Sequence, residues 1–148
     1  MPAINPKAAV LAGTTAGSAY VLCQEIDNRL SGQNLDDLVL LGRPFVDDPG
    51  KAKLAGVPIH LFNSVALASL FPIVRRVLPG GRVTQGISFA LIENTVLYPV
   101  AVLENMHPAV RNGEVDRYFS LKAFLLSLPR HVAYGATLGL LYDRFAER

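Results

Sequence analysis

The stretch Leu54-Ala-Gly-Val-Pro-Ile-His-Leu-Phe-Asn-Ser-Val-Ala-Leu-Ala-Ser-Leu-Phe-Pro-Ile-Val74 contains no charged side chain. A helix rises about 1.5 Å per residue, so some 20 apolar residues match a hydrocarbon layer about 30 Å thick. Gly56 and Pro58 stand near the start, where a helix tolerates them, and Arg75-Arg76 close the stretch. Its polar members, His60, Asn63, Ser64 and Ser69, are neutral or nearly so. A core helix of a soluble domain should be apolar on one face and charged on the other. This one is apolar nearly all round, which predicts a membrane span.

Three further segments follow the same logic. Residues 8–24 are uncharged and rich in Gly, Ala, Ser and Thr; residues 83–103 are apolar except for Glu93 and a few neutral polar groups; residues 123–142 are apolar except for Arg130 and His131. Hydrophobic residues make up 51% of the 148-residue chain and charged residues 18%, against about 25% charged in a typical soluble domain. Size alone decides nothing, because a soluble domain of this length could also bury a core. The expectation is an all-α, single-domain membrane four-helix bundle with spans at about 8–24, 54–74, 83–103 and 123–142. The first segment is read as a retained span, since no convincing signal-peptidase site follows it.

The connections fit that division. Val77-Leu78-Pro79-Gly80-Gly81-Arg82 predicts a tight turn, and most other charge falls in residues 25–53 and 104–122. Within the first of these loops, Asn34 to Pro44 begins with a capping residue, carries acids in its first turn and stops at Gly42 and Pro44. A short interfacial helix is expected there. Lys7, Arg75, Arg76, Arg82, Arg144 and Arg148 crowd into short segments on the side of the termini, which favours cytoplasmic termini in a cell (inner) membrane.

Two features point to helix packing and to chemistry. Gly13 and Gly17 in the first span, and Gly135 and Gly139 in the fourth, are spaced four apart, a pattern that lets helix backbones approach closely in lipid. Packing of spans one and four against each other is expected, with homodimer formation as the alternative. Asn63, Glu93, Arg130 and His131 fall near the middle of their spans, and Tyr134 shares a helix face with Arg130. An unpaired charge at the bilayer centre costs at least about 2.5 kcal/mol, so Glu93 is expected to pair with Arg130, or failing that with His131. Such a midplane layer reads as interhelical glue, or alternatively as a proton relay or a site for a small polar or anionic ligand. Pro72, Pro99 and Pro129 deprive the carbonyls of Ala68, Thr95 and Leu125 of their helical donors and predict kinks.

The absences narrow the field. Cys23 is the single cysteine; His60 and His107 have no second ligand at metal spacing, so no metal and no cofactor is assigned. The chain has no nucleophile elbow, phosphate-binding Gly-Lys-Ser/Thr loop, His-Glu-x-x-His or basic stripe for nucleic acid. It lacks the first-helix acid of the small multidrug transporters. His131-Val-Ala-Tyr-Gly-Ala-Thr-Leu-Gly-Leu-Leu-Tyr142 resembles the last helix of small, uncharacterised four-span inner-membrane proteins of bacteria, a likeness of about a dozen residues that implies location and architecture and carries no activity.

The expected function is therefore a non-enzymatic accessory or structural role in the membrane, as a subunit of a larger complex, with lipid, a second copy or other membrane subunits as partners. A homo-oligomeric transporter or channel using Glu93, Arg130 and His131 is the alternative. A third reading, an intramembrane enzyme acting on lipid, has only His131 and Glu93 to offer.

Overall fold

The computed structural model describes residues 4–147, and every regular element in them is helical. In chain order these are α1 (Pro6–Ser31), α2 (Asp37–Gly42), α3 (Pro49–Val74) continued by a 3-10 turn (Arg75–Val77), α4 (Arg82–Leu97) continued by a 3-10 segment (Tyr98–Met106), α5 (Pro108–Arg111) and α6 (Leu121–Ala146). Three of the long helices start on a side-chain cap. Asn5 accepts from the Ala8 amide, Asp48 from Lys51 and Ser120 from Ala123, with Pro6 and Pro49 just inside the first two starts. α1 ends on Gly32 at φ 66°, a left-handed closure that glycine adopts without a Cβ penalty.

At 26 residues each, α1, α3 and α6 are about 39 Å long. α1 and α6 form the centre; α3 lies against α1, and α4 against α6. The core joins Ala8, Ala9, Ala12 and Ala16 of α1 to Phe71, Phe89, Tyr134, Leu138 and Tyr142. α3 and α4 meet at the end bearing the tight turn, where the Phe71 ring lies 5.6 Å from Phe89 and 5.8 Å from Tyr142. Asp143 of α6 pairs there with Arg75 at 2.7 Å and Arg82 at 2.9 Å.

The expected spans are present as helices with altered limits. α1 continues seven residues past Gln24 to Ser31, and α6 covers 121–146. α3 and α6 remain continuous through Pro58, Pro72 and Pro129. The third span does not: α4 stops at Leu97, and Tyr98–Met106 is 3-10 helix. Pro99 has no amide hydrogen for the carbonyl of Thr95, so the α ladder ends there and the tighter winding takes over. Among the described residues, Pro49–Val77 and Arg82–Met106 are the two helical segments long and apolar enough to cross a membrane. Both turn large apolar side chains outward, among them Leu54 (73% exposed), Phe62 (72%) and Val96 (67%).

The glycines act in pairs other than those expected. A Cβ on Gly13 would come within 2.8 Å of the Val65 Cα, and one on Gly17 within 2.8 Å of the Ser64 Cβ, so both face α3. Gly135 and Gly139 face α4, where a Cβ would strike the carbonyls of Gly86 and Arg82. α1 and α6 are neighbours, as expected, but they meet through alanines and aromatic rings. α2 adds a further close crossing: a Cβ on Gly42 would strike the Ala52 carbonyl, and one on Gly56 the Leu38 carbonyl. The short helix expected at 34–44 thus exists as Asp37–Gly42 and is capped by Asp36, two residues beyond Asn34.

The loop end is tied by charge. Arg43, 9% exposed, donates to both carboxylate oxygens of Glu114 at 2.6 and 2.9 Å, and the Asn34 amide side chain donates to the Glu114 carbonyl at 2.7 Å. Hydrogen bonds from Arg43 hold the Glu114 carboxyl below its ordinary range. A depressed acid contributes stability that is fully present above its unfolded pKa of about 4.3 and is lost as pH falls through the lower folded-state value. Acidification below about pH 4 should therefore loosen this tie, and Glu114→Gln should show the same loosening at neutral pH. Amide exchange at Asn34 and Asp116 reads both effects.

The fold also predicts that Gly86→Leu or Gly139→Leu costs at least about 3 kcal/mol, in the upper range of overpacking penalties, because a helix backbone occupies the space each side chain needs. Leucine at exposed Gly81, which meets nothing within 4 Å, should cost far less. Thermal unfolding of the variants checks the contrast.

Candidate functional site

The site begins with a buried cation. Arg130 is 2% exposed in the first half of α6, beside Pro129. Its Nε and Nη2 donate to the two oxygens of Asp27 at 2.7 and 2.6 Å, and Nη2 also to Asn28 Oδ1 at 3.0 Å. Nη1 donates to the Leu35 carbonyl at 2.9 Å and, at 3.4 Å, to Gln24 Oε1 and Asp37 Oδ2. Every N–H of the guanidinium has a partner. The fork-on-fork match with Asp27 is the strong geometry for an arginine–carboxylate pair.

Glu93 is not part of this clasp, contrary to the expectation from depth in the spans. Side chains on a helix lean toward its N-terminus. α4 and α6 run antiparallel, so Glu93 leans toward the tight turn while Arg130 leans toward the loops. Asp27, on α1, leans toward Arg130. Asp27 and Asn28 lie beyond the segment expected to span, 8–24, and Gln24 is its last residue, so the partners of Arg130 fall at and past the end of the uncharged run.

Glu93 instead meets His131, with Oε2 at 3.3 Å from Nε2. His131 Nδ1 lies 2.8 Å from the Ser127 carbonyl. A carbonyl only accepts, so Nδ1 carries hydrogen and Nε2 faces the Glu93 carboxylate, an ion pair when the imidazole is protonated. Tyr20 stands between two imidazoles, 5.1 Å edge-on from His131 and 5.2 Å from His60, and its hydroxyl donates to Asp37 at 2.6 Å. His60 Nε2 is 3.1 Å from the Gly17 carbonyl, which leaves Nδ1 as its free acceptor. Tyr134 donates to the Ser64 carbonyl at 2.7 Å, and Asn94 donates to Ser127 Oγ at 2.9 Å.

Two cavities flank this group. One of about 290 Å³ opens between α4 and α6 beneath α2 and the 3-10 segment, against Leu97, Ala101, Tyr118 and Phe124. The other, about 210 Å³, lies between α3 and α4, with His60, Asn63 and Tyr134 in its wall. Tyr20, Asp37, Leu40, Glu93 and His131 border both. Of the residues expected to form one polar layer, His131, Glu93 and Tyr134 gather at this partition, Arg130 reaches past it, and Asn63 is exposed at the rim of the smaller cavity. His107 caps the Ala109 amide at 3.2 Å and stays apart. No group of three His, Cys, Asp or Glu among the described residues is placed to hold a metal ion.

Sequence reasoning missed Tyr20, Gln24, Asp27 and Asp37. The available signal was spacing: Tyr20, Gln24, Asp27 and Asn28 recur at helical intervals on one face of α1.

Removing one partner of a buried ion pair strands the other at about 3 to 5 kcal/mol. Arg130→Gln and Asp27→Asn should each approach that loss, and the double variant should lose clearly less than the sum. Glu93→Gln with Arg130→Gln should couple much more weakly, since the two share no hydrogen bond. Equilibrium unfolding in detergent measures both cycles, and strong Glu93–Arg130 coupling would contradict the arrangement.

No curated protein and no solved structure matches the chain. A family model does match it over residues 6–148, nearly its whole length, and the chain belongs to that family, a family of unknown function designated DUF6789.

Proposed function

We propose that this protein is a multi-pass membrane protein whose four long helices cross the bilayer with both termini on the cytoplasmic side, and that its role is non-enzymatic, as a structural or accessory subunit in the membrane. The observation that carries the reading is the division of surface. The outward faces of α3 and α4 present large apolar side chains, while Arg130, the most buried cation among the described residues, spends every donor on holding helices together. Large apolar side chains turned outward along two helices mark a face for contact with lipid or with another protein. A fully satisfied guanidinium is placed for structure, with no N–H left for a reacting group.

The resemblance of the last helix to small four-span inner-membrane proteins supports the same location. A transporter or channel is the second reading, favoured by the two cavities that share Glu93, His131 and Asp37 as a common wall.

The protein should sediment with membranes, resist carbonate extraction and need detergent to dissolve; recovery as a soluble monomer would refute the proposal. In a Cys23→Ser background, an impermeant label applied from outside should reach a cysteine at Asp47 or Asn112 and miss one at Gly80. Labelling at Gly80 alone would show the opposite orientation.

A further inference from the structure

Carboxylate oxygens without a donor stand at the partition between the two cavities. The hydrogens of Tyr20, Tyr134, His60 and of His131 Nδ1 are committed to Asp37 or to backbone carbonyls, and all those of Arg130 are taken. At the cavity walls Glu93 Oε1, Asp37 Oδ1 and His60 Nδ1 have no hydrogen-bond partner among the described residues, and neither has the Asn63 amide at the rim. The Tyr118 hydroxyl, buried in the wall of the larger cavity near Asp37, is a donor with no partner at hydrogen-bond distance.

Charge points the same way. Asp27 and Asp37 face one guanidinium, so two carboxylates share a single cation, and Glu93 adds a third carboxylate whose ion-pair partner is His131. Lys53 on the far side of α2 brings no positive excess, because it is shared between Asp36 at 2.7 Å and Glu25 at 2.5 Å. Asp27 holds Arg130 at 2.6 Å and Asp37 touches it only at 3.4 Å. The uncompensated charge therefore belongs to Asp37, which borders both cavities. An unbalanced carboxylate in a low-dielectric site favours a bound cation.

From these observations we infer that the cavity pair is a binding site for a small primary alkylammonium, with the ammonium against Asp37 and Glu93 and the alkyl chain along Leu40, Leu97 and Ala101. A primary ammonium offers three N–H donors to the unused acceptors, and the Tyr20 ring adds a face for the cation. Cavities of about 290 and 210 Å³ suit a ligand of a few heavy atoms. A quaternary ammonium has the charge and none of the donors, and an anion would face the wrong field.

The test uses the full chain in detergent micelles and n-butylammonium chloride as the probe, read by isothermal titration calorimetry. One saturable site with a Kd of about 1 mM or tighter is expected. Butanol, butyrate and sodium chloride should give no saturable heat, and tetramethylammonium should bind at least about tenfold more weakly. Glu93→Gln and Asp37→Asn should each weaken binding about tenfold or more. Because Asp37→Asn also touches the Arg130 clasp, Ala101→Trp provides an independent variant that fills the larger cavity without altering either carboxylate; it should abolish binding with helicity unchanged. Absence of saturable binding to folded wild type, equal binding of tetramethylammonium or butanol, or wild-type affinity in Glu93→Gln or Ala101→Trp would overturn the inference. A chain that proved soluble without detergent would refute the membrane proposal and leave this titration, run in buffer, as the same test.

Discussion

A single buried guanidinium joins the parts of this molecule that share no local sequence. Arg130 takes Asp27 from the end of α1, the Leu35 carbonyl from the connecting loop and Asp37 from the start of α2. Each partner lies more than 90 residues away along the chain. Placing a charge in low dielectric is costly by itself, and only near-complete satisfaction makes it tolerable. The clasp therefore specifies position more than it adds stability: α6 cannot slide or rotate against α1 without stranding either the cation or an acid. Gln24 reinforces this by also donating to Asp36 and accepting from the Asp37 amide, which fixes the entry into α2.

Around that clasp, glycines set how near the helices come. Gly13 and Gly17 bring α1 onto α3, Gly86, Gly135 and Gly139 bring α4 onto α6, and Gly42 and Gly56 seat α2 on α3. In each pair the backbone of one helix occupies the volume that a Cβ of the other would fill. Close approach of this kind gives dispersion contact that does not depend on transferring apolar surface out of water. That is the form of packing a helix needs when its outer face is already apolar.

The cavities follow from the same two constraints. α3 and α4 converge at the Phe71, Phe89 and Tyr142 cluster and separate toward the loops, where α2, the 3-10 segment and Tyr118 cover the space between them. Because Asp27 takes the bidentate position on Arg130, Asp37 and Glu93 are left to line that space. The polar character of the cavity is thus a consequence of how the clasp distributes its partners.

Much of the helical organisation was legible in the sequence, because the signals for it are local. The uncharged run at 54–74, the prolines and capping residues at helix starts, the Pro79-Gly80-Gly81 turn and the acids before Leu38 each depend on a few neighbouring residues, and each corresponds to an element of the structure. Small residues four apart correctly marked faces of close approach. What those signals could not contain was the partner on the other side. Gly13 and Gly135 have the same spacing and face different helices, and Glu93 and Arg130 sit at similar depth but lean in opposite directions because their helices are antiparallel. Asp27 lay outside any uncharged run and became the main counter-ion only when α1 continued to Ser31. Composition and periodicity determined which segments are helices; which residues face inward and which partners they meet was decided by the tertiary structure, as exposed Asn63 shows, because pairing depends on side-chain direction and helix adjacency across a hundred residues of chain.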